Sequence, residues 1–345
     1  MNQLAGFARQ LKKNFSPKVK DPKKPVGSWS EKDLINGKIV DTFVIILRTR
    51  GCSWALKSGC SMCGYFNDSL WEDITDIDLI EQFNHAMDKY SDQKFIKIFT
   101  SGSFLDKYEI SRKVRKEILN NLSGKVEKLS VESRPEYINK EIIDEIKGDY
   151  SSDIFEIGIG LETADDFIRK NFLNKGFSFS QYKKACEKLR ENEIKTKTYV
   201  LIKPPFLTEK KSIDDSIDTV EKIKKLTDLV SLNPTNVQKN TVVDYLWKRR
   251  EYRPPWLFSI VEILKESKEI ASNLRIKCDI AGGGNIRGAH NCRDCDRKFL
   301  DAITDFSLNQ KTKVFDNLDC KCREKWLDQL DLEGLSFGSC ANMYG

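Results

Sequence analysis

Short apolar runs recur along this chain with amphipathic stretches between them. They cover residues 42–47, 95–99, 129–132, 154–161, 197–202 and 229–232. Each is too short for a buried helix and rich in β-branched or aromatic residues, which predicts a buried strand. The stretches between them change period: around 77–90, Ile80, Phe83 and Met87 fall at helical spacing and mark a core-facing helix. Strands alternating with helices predict βα units around a parallel sheet. Six units predict an α/β fold, a partial (βα)6 barrel of the TIM type, whose chemistry gathers at the C-terminal strand ends. The residues just past each run are therefore the functional candidates. The pattern divides the chain into a basic N-terminal arm (1–40), the barrel (41–255) and a C-terminal extension (256–345).

A length of 345 residues with 39% hydrophobic content suffices for one large core or two modest ones. The net charge of +6 is too mild to argue for nucleic-acid binding, so its distribution decides. Arg9, Lys12, Lys13, Lys18, Lys20, Lys23 and Lys24 stand against the single acid Asp21, and Pro17, Pro22 and Pro25 forbid a continuous helix. Such an arm suits a phosphate backbone, and a solvated tail has the same composition. No apolar run approaches the roughly 18 residues of a membrane span, and residues 1–9 lack the apolar core of a secretory signal. The expected setting is the cytoplasm, with no membrane partner. In that reducing compartment the ten cysteines are expected as metal ligands and buried thiols rather than disulfides.

Cys52, Cys60 and Cys63 follow the first run directly. Three thiolates on a loop at a strand end can hold three irons of a 4Fe-4S cluster and leave the fourth iron to a small molecule. Three ligands of a structural zinc, or thiols without a partner, would use the same residues. The common signature of radical S-adenosylmethionine enzymes has three residues between its first two cysteines. This chain has seven between Cys52 and Cys60, but keeps Cys60-x-x-Cys63 and the aromatic Tyr65 just beyond. With Arg48-Thr49-Arg50-Gly51 before it and Gly64-Tyr65-Phe66-Asn67-Asp68 after it, the loop resembles that of the archaeal radical enzymes that complete archaeosine, a modified guanosine of tRNA. The resemblance extends from about Ser28 to the C-terminus.

The later strand ends fit that resemblance. Ser101-Gly102-Ser103 looks like the Gly-rich turn whose backbone accepts the ammonium of the cofactor's methionine moiety. Glu132 and Arg134 emerge after the third run, where a carboxylate and a guanidinium can bind the ammonium and carboxylate of S-adenosylmethionine; a structural ion pair at the rim is the other reading. Gly158 and Gly160 let a backbone approach a planar ligand, and with Glu162 they resemble the segment passing adenine and ribose in related enzymes. Lys203, ahead of Pro204 and Pro205, is a candidate for the cofactor carboxylate or the substrate, or a lysine reaching solvent at the rim. The sixth run leads into residues 231–238, a polar loop expected over the barrel mouth.

In the extension, Cys292 and Cys295 are followed by Cys320 and Cys322. Four thiolates at these spacings are enough for a tetrahedral zinc organising a segment poor in its own core, with His290 as an alternative ligand. The glycine-rich loop and Arg287 ahead of them suit tRNA phosphates or a cap on the barrel. Cys186, Cys278 and Cys340 read as buried or incidental thiols.

The resemblance implies a lyase. An electron from the reduced cluster splits S-adenosylmethionine, and the 5'-deoxyadenosyl radical removes hydrogen from a lysine joined through its ε-nitrogen to the deazaguanine at tRNA position 15. The C–N bond then breaks and archaeosine remains. The implied partners are tRNA, the enzyme that attaches the lysine, and an electron donor. Other tRNA-modifying radical enzymes are the alternative: a methylthiotransferase needs a second cluster domain ahead of Cys52, and an elongator-type acetyltransferase needs a further domain. A non-catalytic zinc-binding RNA module is a third reading. No catalytic residue that contacts the substrate is legible.

Overall fold

The computed structural model describes residues 3–13, 20–70, 74–151 and 153–335, and within them eight strands form one sheet in chain order. β1 (Gly27–Ile35) and β2 (Lys38–Ile46) form an antiparallel hairpin. Asn36 and Gly37 join them at φ angles of 48° and 78°, as an Asn-Gly hairpin turn requires. A parallel series continues through β3 (Phe95–Phe99), β4 (Lys128–Ser133), β5 (Ile154–Glu162), β6 (Lys195–Ile202), β7 (Leu229–Pro234) and β8 (Arg275–Cys278).

The six predicted runs are β2 to β7. The sheet is wider than (βα)6, because β1 lies within 1–40 and β8 within 256–345. β1 escaped the pattern because an edge strand reading Gly-Ser-Trp-Ser-Glu-Lys carries no apolar run; its signal was the Asn-Gly pair.

Helices precede the hairpin, fill the crossovers and close the chain. α1 (Gln3–Lys13) comes first; α2 (Ser53–Lys57) and α3 (Asp76–Met87) lie between β2 and β3, α4 (Arg112–Leu122) before β4, and α5 (Lys140–Asp149) before β5. α6 (Asp166–Asn171) and α7 (Phe179–Glu191) precede β6, α8 (Glu209–Ile223) precedes β7, and α9 (Val242–Lys248) and α10 (Leu257–Ile270) precede β8. α11 (Asp296–Asn309) and α12 (Arg323–Leu335) follow it. The helix predicted around 77–90 is α3, started by a capping box between Thr75 and Asp78.

Side chains alternate across the sheet. Ile96, Ile98, Leu129, Val131, Ile157 and Ile159 face the helices and join the main core. The other face lines the barrel bore and is polar, with Lys97, Lys128, Glu132, Glu156, Lys197 and Tyr199 at alternate positions. Ion pairs bind its strands together: Lys97 to Glu31 at 2.5 Å and to Asp33, Lys128 to Glu156 at 2.6 Å, and Lys277 to Asp33 at 3.6 Å.

The extension shares the barrel's core instead of building its own. Phe299, Ile303, Phe306 and Trp326 belong to the same apolar cluster as the strands. Trp326 stacks on Phe258 of α10 at 5.5 Å and donates from Nε1 to Ser259 Oγ at 2.9 Å. None of the described helices is long and apolar enough to cross a membrane.

Candidate active site

β2 delivers the cysteine loop to the C-terminal end of the sheet. Gly51 turns the chain at φ 102°, Cys52 caps α2, and Gly59 turns it back at φ 81° into Cys60. The long gap between Cys52 and Cys60 is thus a short helix. It is pinned to the segment after α6: Trp54 Nε1 donates to Asn174 O at 2.8 Å, Asn174 Nδ2 to Gly59 O at 2.7 Å, and Ser61 Oγ to Phe172 O at 2.6 Å. Gln238, from the polar loop expected over the mouth, accepts from Gly64 N at 2.5 Å.

The three thiols lie in one another's electrostatic field. Burial pushes Cys63 up to about 12, with Cys60 and Cys52 adding to it. Burial also pushes Cys52 up to about 11, helped by the nearby Glu109. Buried thiols so disposed become thiolates only when a cation offsets the burial, a charge that iron would supply. The turn after β3 shapes the far side: a β-carbon on Gly102 would stand 2.7 Å from Cys52 Sγ, so only glycine admits the cysteine there. The donor set and this cradle fit a cluster held by three cysteines.

Glu109 organises the turn and was not legible in the sequence, where no period or spacing marks a lone loop acid. Its buried carboxylate accepts from Gly102 N at 3.0 Å, Ser103 N at 2.7 Å and Thr49 Oγ1 at 2.7 Å, tying the β3 turn to the end of β2. Burial raises it to about 7 against those hydrogen bonds. Ser101 Oγ meets Ser69 Oγ at 2.9 Å, and Ser103 Oγ accepts from Arg134 N at 3.0 Å.

The expected Glu132–Arg134 pair is split. The strand ends at Ser133 and the chain enters a 3-10 turn at Pro135, which sends the two side chains apart. Arg134 turns to the triad: it pairs with Glu136 at 2.6 Å, lies 5.2 Å from the Trp54 ring, and feels the charge of Cys60 and Cys52. Its buried Nη2 has no hydrogen-bond partner. Glu132 faces the bore, near Lys197, Lys175 and Glu162.

The glycines of β5 make room for the protein's own side chains. Tyr199 lies over Gly158, and the Lys175–Glu162 ion pair, 2.6 Å long, lies beside Gly160. Lys203 does not join the group around the triad. It is buried in an ion pair with Glu209 at 2.6 Å, and Glu209 also accepts from Trp256 N and Ser259 Oγ.

The basic arm is in part folded. α1 buries Ala5 and Ala8 and sets Phe7 edge-on against Tyr245 of α9 at 4.9 Å. Its Lys12 reaches the cysteine loop, with Nζ in the space a Gly59 β-carbon would take and 5.0 Å from the Phe66 ring. Lys20 pairs with Asp68 at 2.6 Å and Lys23 with Glu81 at 3.1 Å, so these charges face the barrel. The apolar spacing of residues 4–11 was the missed signal. Lys18 lies outside the described residues, as does Cys340.

Cys292, Cys295, Cys320 and Cys322 converge with all four sulfurs within 4.8 Å of one another. The separations of 3.5 Å (Cys292–Cys295), 3.6 Å (Cys292–Cys320) and 3.7 Å (Cys295–Cys322) approach the roughly 3.8 Å tetrahedral edge implied by a Zn–S bond of about 2.3 Å. His290 is not in the set; its Nδ1 meets Gly288 O at 2.8 Å. Cys186 and Cys278 are buried thiols.

Residues 46–212 match the Radical SAM superfamily. Archaeosine synthase subunit beta of Methanosarcina acetivorans is 37% identical over 336 residues, covering 96% of each chain. The protein of the same name from Thermococcus kodakarensis is 36% identical over 305 residues, 86% of this chain and 94% of that one. Among solved structures, methylornithine synthase superposes with a TM-score of 0.48 at 11% identity, over 94% of this chain and 90% of that one.

Proposed function

Since the chain belongs to the radical SAM superfamily and, within it, to the archaeosine synthase subunit beta family, we propose that it is the lyase that breaks the lysine C–N bond of the lysine-adducted deazaguanine at tRNA position 15. The identity of more than a third of residues over nearly the whole chain carries this reading. When bound at Cys52, Cys60 and Cys63, a 4Fe-4S cluster supplies the electron that splits S-adenosylmethionine to methionine and a 5'-deoxyadenosyl radical.

The chain's own residues bind and orient. The turn at Ser101, Gly102 and Ser103, held in shape by Glu109, presents carbonyls for the methionine ammonium, and Arg134 offers Nη2 to the carboxylate. Glu132 and Glu162 border the path of the adenosine. Hydrogen is taken from the lysine carbon bonded to the bridging nitrogen; the carbon radical passes one electron to the oxidised form of the electron carrier and becomes a C=N iminium, water adds to it, and the C–N bond breaks to leave the amidine of archaeosine and the lysine as its semialdehyde. Zinc on Cys292, Cys295, Cys320 and Cys322 ties the start of α11 to that of α12.

For the tRNA, a cavity of about 820 Å³ offers Trp247, Lys248, Arg250 and Arg253 together, an aromatic and cationic lining suited to bases and phosphates. The relatives' designation as a beta subunit supports a partner subunit, which we assign as the lysine-transferring enzyme, with a separate electron donor. The test is incubation of the reduced, reconstituted protein with adduct-bearing tRNA, followed by digestion to nucleosides. Archaeosine is expected; intact adduct beside ongoing cofactor cleavage would defeat the substrate assignment.

A further inference from the structure

Lys97, Lys128, Lys203 and Lys277 are buried, and each has a carboxylate oxygen at 2.5 to 2.8 Å. Lys197 is different. It is 2% exposed, yet among the described residues its ammonium meets only ring faces, Tyr199 at 4.4 Å and Phe99 at 5.9 Å. Two nearby acids are committed elsewhere: Glu156 holds Lys128 and Ser130, and Asp279 holds Lys277 and Ser231. The third, Glu132, faces Tyr199 and lies in the field of Lys197 without an ion pair to it, and burial raises its carboxyl above the usual range. Burial lowers the Lys197 amine to about 8, with Lys277 pushing the same way. Beside it, the buried Tyr199 hydroxyl makes no well-formed hydrogen bond and faces the Glu132 carboxyl.

The register explains the space around them. Glu132, Gly158 and Lys197 stand in one row across β4, β5 and β6. With strands about 4.8 Å apart, the row separates the Glu132 and Lys197 backbones by roughly 10 Å. Gly158 leaves the middle open, and the Tyr199 ring occupies it, 2.8 Å from where a β-carbon would be. A buried ammonium without an ion pair and a buried hydroxyl facing only Glu132, whose carboxyl burial raises toward its neutral form, destabilise the fold unless an anion completes them.

We infer that Lys197 and Tyr199 form a carboxylate-binding subsite in the barrel bore, which takes the α-carboxylate of the lysine carried by the substrate. This rests on the proposed substrate. A single negative charge fits, because Glu132, Glu156 and Asp279 in the same bore oppose a phosphate dianion. Anchoring the far end of the lysine holds its reacting carbon in place. S-adenosylmethionine also carries an α-carboxylate, so the test separates the two sources.

The experiment compares equilibrium binding of free L-lysine and of cadaverine, the same diamine without the carboxylate, to the full chain, to Lys197→Met and to Tyr199→Phe. An acid-lined bore without the subsite favours the doubly charged cadaverine. The subsite reverses this: L-lysine is expected to bind at least tenfold more tightly to the natural protein, Lys197→Met to erase the preference, and Tyr199→Phe to reduce it several-fold. Lys197→Met is also expected to melt higher, because an unmatched buried cation is removed, whereas a purely structural lysine would leave the variant melting lower.

No lysine preference in the natural protein, or a preference retained in both variants, overturns the subsite. Weakened binding of S-adenosylmethionine to reconstituted Lys197→Met, with the lysine preference intact, overturns it in favour of the cofactor's carboxylate. Failure of the tRNA reading looks different: the preference persists while adduct tRNA stays intact, which supports the subsite and removes only the tRNA.

Discussion

Cys52 packs against Gly102 so closely that a β-carbon on the glycine would lie 2.6 Å from Cys52 Cβ and 3.0 Å from its Cα. The backbone on one side or the other must move to admit a methyl group. Gly102→Ala is therefore expected to displace one iron ligand. Iron and sulfide per chain after anaerobic reconstitution should fall by more than half, and cleavage of S-adenosylmethionine at least tenfold. A variant with full iron content would show that the contact does not position the cysteine.

Lys203 was a candidate for the cofactor and is instead half of a buried ion pair with Glu209. Removing one partner of such a pair costs about 3–5 kcal/mol, because the other charge stays buried and unmatched. Lys203→Met should lose roughly that much in denaturant unfolding, and Lys203→Met combined with Glu209→Gln should recover most of it. Weakened cofactor binding by the double variant, with stability restored, would return Lys203 to the cofactor site.

About one zinc per chain is expected from the four-thiolate set. Cys295→Ser should lose it and melt lower, since the sulfurs join segments that pack on α10. His290→Ala should keep it, because His290 is held by Gly288 O. Zinc loss in the histidine variant alone would overturn this ligand assignment.

Asp215 gives the stability a pH dependence opposite to that of a paired carboxylate. Burial raises it to about 7, and its Oδ2 has no hydrogen-bond partner while Oδ1 accepts from Thr163. The folded state therefore binds this proton more tightly than the unfolded one, and stability is lost as pH rises from about 4 through 7. Asp215→Asn should match the natural protein near pH 4 and exceed it at pH 8 by on the order of 2 kcal/mol. Equal stability at pH 8 in chemical denaturation would contradict the burial of an ionised Asp215.

Local pattern revealed whatever it alone determined. β2 to β7 are apolar runs and could be read, and the spacing of Cys292, Cys295, Cys320 and Cys322 announced their convergence. β1 was missed because its outward positions are polar, and β8 was left within the extension, because pairing partners far apart in sequence leave no local trace. Glu109 and Lys175 act through long-range contacts that no spacing announces. The bore was hidden in plain alternation: Lys97, Glu156 and Lys197 interrupt apolar runs at every second residue, which marks a two-faced sheet with a polar lumen.

Hydrogen removal from the lysine carbon next to the bridging nitrogen is most directly tested by deuterium placed there. Adduct tRNA labelled at that carbon is incubated with the reduced, reconstituted enzyme and S-adenosylmethionine, and the mass of the 5'-deoxyadenosine is measured alongside the nucleosides. The proposed lyase reaction requires deuterium in the 5'-deoxyadenosine and archaeosine in the tRNA. Unlabelled 5'-deoxyadenosine with the adduct intact would contradict it.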